Sequence, residues 1–193
     1  VITDFGGDNI INSGSGNDTI ILNNPSTNII NAGTGDDIIL GRADNNNSYI
    51  YNLGDGKDII TEQNYEAWYL GATSGGYDVI KFGEGINKEN IYFNKNNGND
   101  LIIKFKDNDH DQITVINYFR FNGDKIDAIE FSDGSNMLNS EFVYRSLLKD
   151  YHPSIANLQI CEKSLDSFDY SANPTNIASK IDNPDFDEIK LDE

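Results

Sequence analysis

The N-terminal part of the chain repeats a short pattern, and this repeat limits the possible folds more than any other feature. The stretch NIINSGSGNDTII at residues 9–21 returns as NIINAGTGDDII at residues 28–39. In less similar copies, an Asn or Asp still stands two places before a core Ile or Tyr. These anchor residues are Asn9, Asp18, Asn28, Asp37, Asn47 and Asp58, with spacings of 9, 10, 9, 10 and 11 residues.

A period near nine residues with one apolar position suits a short strand, a turn and a second short strand that runs back. Two such units would make one turn of a flattened parallel coil. Successive coil turns must stack, because no single repeat can bury its own apolar residues. The predicted inward residues are Ile11, Ile20, Ile30, Ile39, Tyr49 and Ile60.

The turns alternate in chemistry, so the coil has two different edges. On one edge, which we call the Asp edge, each turn has Gly-x-Gly ahead of its Asp: SGSGND (13–18), AGTGDD (32–37) and LGDGKD (53–58). The other, the Asn edge, has degenerate turns: DFGGDN (4–9), NNPSTN (23–28) and RADNNN (42–47).

The Asp edge is a candidate cation site. Gly-x-Gly lets the backbone curl so that carbonyl oxygens face one point, because glycine tolerates positive φ. Stacked turns would then offer two carboxylates and about four carbonyls, an all-oxygen set that suits Ca²⁺ better than the stricter Mg²⁺. The predicted ligand positions are Ser13, Gly14, Ser15, Gly16, Asp18, Ala32, Gly33, Thr34, Gly35, Asp37, Leu53, Gly54, Asp55, Gly56 and Asp58.

Three further positions carry weaker predictions. Asp78 precedes Val79-Ile80 and is predicted to rejoin the Asn edge, while Gly83 and Gly85 are predicted to supply the last carbonyls above Asp58. On the Asn edge itself, asparagine carbonyls either coordinate Ca²⁺ weakly or hydrogen-bond up the stack. We favour the hydrogen-bonded interpretation.

The charge of the chain agrees with a cation partner. It has 14 Lys and Arg against 32 Asp and Glu, a net charge of −18. Nucleic acid is excluded as a partner, since its phosphates need a basic surface. The single cysteine, Cys161, cannot form an intrachain disulfide, and no apolar run is long enough to span a membrane. The sequence opens directly into repeats, so we expect a longer parent polypeptide.

These motifs resemble a known family. GSGNDTII, GTGDDIIL and LGDGKDII are similar to the nonapeptide G-G-x-G-x-D-x-U-x of the RTX, or haemolysin-type calcium-binding, proteins. The segments DVIKFGEGI (78–86), NGNDLIIKF (97–105), QITVINYF (112–119) and IDAIEFSDG (126–134) resemble the part that often follows such repeats. In a departure from the pattern, the first Gly is replaced by Ser13, Ala32 and Leu53.

The resemblance implies a mostly β fold: a parallel β-roll over residues 1–86, then a β-rich antiparallel capping segment over 87–138. Residues 139–193 would form one short helix (139–149) and an irregular acidic tail, a candidate type I secretion signal. The insertion at 63–76, with Trp68, is predicted to be a hydrophobic plug or a binding loop.

The resemblance also implies a function. The chain would be a calcium-binding module without catalysis, part of a toxin-like or haemolysin-like bacterial protein. That protein would leave the cell through the type I secretion machinery and fold outside on binding Ca²⁺. Two alternatives stay open: a calcium-stiffened adhesin domain that binds a host-surface ligand, and the secretion tail of an exported hydrolase.

Overall fold

The repeats do form a parallel coil in the structure, which is a computed structural model. It describes residues 1–23, 26–42, 45–62, 76–96, 98–120 and 126–151, with the backbone alone for 147–151. Most of the predicted insertion, including Trp68, and the tail from residue 152 onward lie outside these residues. No helix within them is long and apolar enough to cross a membrane.

The described strands form two sheets. The first sheet has the order β1 (Ile2–Asp4), β3 (Thr19–Leu22), β5 (Ile38–Gly41), β7 (Lys57–Glu62), β11 (Asn108–Val115), β10 (Leu101–Phe105) and β9 (Ile91–Lys95). The second has the order β13 (Asn136–Leu138), β12 (Ile126–Glu130), β8 (Asp78–Phe82), β6 (Asn46–Tyr51), β4 (Thr27–Asn31) and β2 (Asn9–Asn12). From β1 to β8 the chain alternates between the sheets, which gives the predicted coil.

The strand register follows the predicted anchors. Parallel pairing places Asn9 opposite Asn28, and Asn28 opposite Asn47. In the first sheet, Thr19 lies opposite Ile38, and Ile38 opposite Ile59, so each Asp before these residues stacks on the next. All six predicted inward residues are buried; Ile20 and Ile30 are fully buried. Each buried isoleucine contributes about 1.5–3 kcal/mol, so the narrow core depends on stacking several turns.

The capping segment continues both sheets. As predicted, β9, β10 and β11 pair antiparallel, and so do β12 and β13. In addition, β11 pairs parallel with β7 and β12 pairs parallel with β8. The cap therefore covers the last coil turn with main-chain hydrogen bonds as well as with side chains.

Aromatic side chains pack where the coil meets the cap. The ring of Tyr51 stacks on Phe105 with a centroid separation of 5.4 Å, and Phe82 contacts both rings edge-on. The predicted helix, α1, spans Asn139–Tyr151, and its Phe142 stacks on Phe93 at 5.5 Å. These aromatic contacts enlarge the core beyond what the isoleucine stack provides.

Candidate metal centre

Three aspartates form a column along the Asp edge. The backbone N–H of Asp18 donates to Oδ1 of Asp37 at 2.7 Å, and the N–H of Asp37 donates to Oδ1 of Asp58 at 3.0 Å. The column exists because Asp18 and Asp37 immediately precede first-sheet strands, Asp58 is the second residue of the next one, and these strands pair in register. Asp37 and Asp58 are buried.

The glycine-rich turns stack closely beside this column. Gly33 and Gly35 have positive φ, of 84° and 139°, and a Cβ atom at either position would collide with the backbone of Gly14 or Gly16 beneath it. A Cβ atom at Gly56 would collide with the carbonyl of Gly35. Glycine is therefore required here both by backbone conformation and by close approach between turns.

Main-chain hydrogen bonds hold successive turns together. The N–H of Thr34 donates to the Gly14 carbonyl at 3.0 Å, and the N–H of Gly35 donates to the Asp55 carbonyl at 2.7 Å. The Ala32 carbonyl accepts from the hydroxyl of Ser13 at 2.7 Å. A carbonyl oxygen has two lone pairs, so each of these acceptors retains one for a further partner. The predicted ligand positions of the three turns thus lie together on one edge.

One carboxylate oxygen in the column has no hydrogen-bond partner within the described part of the chain. Oδ2 of Asp37 is buried, and no hydrogen-bond donor among the described residues reaches it. Leaving a buried charged oxygen without a partner is costly, by about 1–3 kcal/mol or more. A cation at this position would satisfy the oxygen, so the site fits a hard metal ion.

The raised pKa values of two column carboxylates also favour a cation site. Burial raises the pKa of Asp58 to about 7, an effect opposed by the hydrogen bond from Asp37 and reinforced by the neighbouring carboxylates. Burial also raises the pKa of Asp37, and the charges of Asp18, Asp55 and Asp36 raise it further. These carboxylates therefore hold protons more tightly than usual unless another positive charge replaces the proton.

Within the described part of the chain, no three Asp, Glu, His or Cys side chains converge as a metal cluster. The Asp edge instead offers neighbouring carboxylates together with turn carbonyls, a donor set composed entirely of oxygen. Such a set suits Ca²⁺, which accepts backbone carbonyls and carboxylates in flexible geometry. Asp37 and Asp58, with carbonyls from the turns at 32–35 and 53–56, would hold the ion.

The structure corrects the expected neighbour of Asp58. The strand beside Asp58 is β11, where Ile113 lies opposite it, so Gly83 and Gly85 do not lie above Asp58. They stack instead on the start of the third turn: a Cβ atom at Gly83 would meet Asn52, and one at Gly85 would contact Leu53. The difference arises because the chain passes from β8 in the second sheet to β9 in the first. The strand that then pairs with β7 is β11.

The sequence analysis missed Asp111, which closes the third turn. Its Oδ2 accepts the N–H of Gly54 at 2.6 Å, and its Oδ1 accepts the N–H of Gly56 at 3.1 Å. These two amides face the position that a further coil turn would occupy. The carboxylate of Asp111 therefore caps the third turn, because it accepts hydrogen bonds that a further coil turn would otherwise accept. The pairing of β7 with β11 that brings it there is not encoded in any local motif.

The Asn edge is a hydrogen-bonded ladder. Asn9 N–H donates to Oδ1 of Asn28 at 3.1 Å, and Nδ2 of Asn28 donates to Oδ1 of Asn47 at 3.2 Å. Asn47 N–H then donates to Oδ1 of Asp78 at 2.7 Å, and Asp78 N–H to Oδ2 of Asp127 at 2.9 Å. Asp78 therefore lies on the Asn edge, as predicted, and not in the Asp column. The asparagines of successive coil turns hydrogen-bond to one another. A metal role for Asp78, Gly83 and Gly85 stays a prediction.

Comparison with known proteins finds one family that the region beside this column matches. Residues 100–140 match the family described as haemolysin-type calcium binding protein related domain. The matched region includes β11, which pairs with the Asp58 strand, as well as β10, β12 and β13. None of the curated proteins compared with the chain matches it. The family match confirms the resemblance to haemolysin-type calcium-binding proteins that the glycine-rich repeats predicted, and it is consistent with RTX-type calcium binding.

Proposed function

We propose that the chain is a calcium-binding module whose folding depends on Ca²⁺ held along the column of Asp18, Asp37 and Asp58. The observation that carries this proposal is the buried Oδ2 of Asp37, which has no hydrogen-bond donor among the described residues. Bound Ca²⁺ supplies positive charge that offsets the buried carboxylates of Asp37 and Asp58. Asp37 is the central ligand, because it lies between Asp18 and Asp58.

Electrostatic repulsion explains why folding and binding are coupled. Two unit charges 4 Å apart repel by about 4 kcal/mol at an effective dielectric constant of about 20. The isoleucine core is narrow, so repulsion between buried carboxylates opposes closure of the Asp edge. A ligand that binds only the folded state adds RT ln(1 + [L]/Kd) per site, and stacked sites therefore give a steep response to Ca²⁺. Extracellular calcium modules typically bind at about 10⁻⁴–10⁻³ M.

Circular dichroism during a Ca²⁺ titration tests this proposal. The chain should gain β structure as Ca²⁺ rises, lose it in chelator, and respond weakly to the same concentration of Mg²⁺. Asp37→Asn should shift the transition to higher Ca²⁺. Asp109→Asn is the matched control, since it removes the same charge from an exposed position outside the column. An equally folded chain in chelator and in Ca²⁺ would refute the proposal.

The wider role rests on the family resemblance. The module would belong to a larger toxin-like or haemolysin-like bacterial protein that is exported unfolded by type I secretion and folds outside the cell, where Ca²⁺ is plentiful. It would carry no catalysis itself; the periodic placement of its acids suits ion binding rather than an acid–base pair. The scarcity of cysteine, with Cys161 alone, supports a fold made without disulfides.

Export can be tested separately from calcium binding. Residues 139–193 would be fused to a reporter in a strain with a type I secretion system, and a fusion to residues 87–138 would serve as the control. Secretion of the first fusion alone supports the assignment of the signal. Retention of both fusions in the cell contradicts it and leaves the calcium proposal unaffected.

A further inference from the structure

A cleft of about 360 Å³ lies on the outer face of the first sheet, beside the β10–β11 hairpin. A row of side chains crosses four neighbouring strands there: Tyr92 on β9, Lys104 on β10, Gln112 on β11 and Lys57 on β7. Their backbones lie directly opposite one another in the strand pairing. The register of β10 and β11 shifts just after Lys104, an irregularity of the kind that redirects side chains near binding sites.

Three ammonium groups line this cleft without ionic partners. Lys57, Lys104 and Lys106 all border it, and in the part of the chain that the structure describes none of them lies within ion-pair distance of a carboxylate. This is unexpected, because the chain carries 32 acidic residues against 14 basic ones. Lysines gathered in one cleft and left unpaired are available to an anionic ligand.

The aspartates around the cleft do not all neutralise the positive charge of the three lysines. Asp111 is buried, and its two oxygens already accept hydrogen bonds from Gly54, Gly56 and the amide of Asn108. Asp107 and Asp109 are exposed near the hairpin tip and also line the cleft, but neither belongs to the cross-strand row. The cross-strand row itself therefore carries positive charge together with neutral polar groups.

The spacing of the row favours an elongated ligand. Lys104 and Lys57 stand two strands apart, or about 10 Å between backbones at the usual strand separation. That distance suits an elongated ligand with separated charges better than a single compact phosphate. The row also crosses the strands, whereas a peptide that extends a sheet runs parallel to its edge strand.

The neutral members of the row suit a sugar. The ring of Tyr92 is half-buried and offers an apolar surface with a polar tip. Gln112 donates from Nε2 to the Thr114 hydroxyl at 2.9 Å, and among the described residues nothing donates to its Oε1. That oxygen is a free acceptor for a sugar hydroxyl.

We propose that the cleft crossed by Tyr92, Lys104, Gln112 and Lys57 binds a carboxylate-bearing oligosaccharide. The ammonium groups pair with separated carboxylates, while the ring and the amide contact the sugar between them. This activity is distinct from calcium binding and would let the folded module attach to an acidic glycan surface.

Binding of a hyaluronan hexasaccharide to the full chain, measured by calorimetry at fixed saturating Ca²⁺, tests the proposal. Lys104→Gln should weaken binding by roughly tenfold or more, the usual worth of one charge-assisted contact. Lys81→Gln is the matched control: it removes the same charge from the other sheet, where Lys81 pairs with Glu130. Circular dichroism of each variant checks that folding is unchanged.

Control ligands distinguish an acidic oligosaccharide from a neutral sugar and from other anions. The same hexasaccharide with its carboxylates reduced to alcohols should bind at least roughly tenfold more weakly, and affinity should fall as salt rises. A short poly-glutamate peptide and inorganic phosphate should bind more weakly than the acidic sugar. Equal binding by the reduced sugar, the peptide or phosphate overturns the proposal, as does an absence of binding or an equal loss in the Lys81 control.

Discussion

Asp37 lies between two other aspartates, and its backbone donates to Oδ1 of Asp58 at 3.0 Å. Its own Oδ1 accepts the N–H of Asp18 at 2.7 Å, while its Oδ2 is buried without a donor in the described residues. One side of the carboxylate thus holds the turns in register, and the other side is available to a cation. The same residue links the stacking of the coil to its proposed need for calcium.

The position of Asp37 in the middle of the column predicts unequal effects of mutation. Asp37→Asn should raise the Ca²⁺ midpoint of folding by roughly tenfold, about 1.4 kcal/mol, because two neighbouring sites lose a ligand. Asp18→Asn, at the end of the column, should have a smaller effect. Circular dichroism during Ca²⁺ titration measures both variants, and equal shifts would contradict the stacking register.

The raised pKa of Asp58 predicts how the calcium-free protein responds to pH. The pKa of this carboxyl is about 7 in the folded chain, against 3.8 as the ordinary value. Between these values the folded state binds more protons than the unfolded state, so stability falls as pH rises from about 4 to 7. The slope for one group is at most about 1.4 kcal/mol per pH unit.

Circular dichroism in chelator at several pH values measures this slope, as a folded fraction that falls when pH rises from about 4 to 7. Asp58→Asn removes the titrating group and should flatten the profile. A wild-type profile that is flat or rises across this range would show that Asp58 is not protonated in the metal-free fold.

The close stacking of glycines predicts a difference between two alanine substitutions. Gly35 and Gly54 both have positive φ, of 139° and 94°, so each substitution carries backbone strain of about 1–3 kcal/mol. At Gly35 the new Cβ atom also collides with the backbone of Gly16, whereas at Gly54 it meets nothing within 4 Å. Gly35→Ala should therefore destabilise the fold more, as measured by thermal unfolding in saturating Ca²⁺. Similar losses would argue against the tight turn-to-turn packing.

The two N–H groups held by Asp111 predict a role for this residue in stability. Asp111→Ala leaves the amides of Gly54 and Gly56, which are not fully buried, without their acceptor, at a cost of about 0.5–1.5 kcal/mol for each lost hydrogen bond. Asp109→Ala, at the exposed hairpin tip, is the control and should change the free energy of unfolding little. Chemical denaturation in excess Ca²⁺ compares the two, and equal effects would remove the capping role.

The sequence alone predicted those features that repeat locally. The anchors, the inward isoleucines and the Asp column all follow from a period near nine residues, because adjacent coil turns are neighbours along the chain. A β-rich segment over 87–138 and a helix over 139–149 were also predicted, and the structure has strands there at Ile91–Lys95 and Leu101–Phe105 and a helix that begins at Asn139.

The features that were missed depend on contacts between distant residues. Asp111 reaches Gly54 across 57 positions, and no local pattern encodes that pairing. Gly83 and Gly85 match the repeat in composition, yet β11 takes the place beside Asp58 because the chain crosses over to β9. The lysine-lined cleft is likewise visible only after β7, β9, β10 and β11 are side by side.

The ion itself can be located by anomalous diffraction from a crystal grown in saturating Ca²⁺. We expect a calcium peak beside Oδ2 of Asp37, with Asp58 and carbonyls of the neighbouring turns within coordination distance of about 2.3–2.6 Å. A column in which Asp18, Asp37 and Asp58 stay aligned with no ion near Asp37, or in which these carboxylates lie far apart, would contradict calcium binding on this edge.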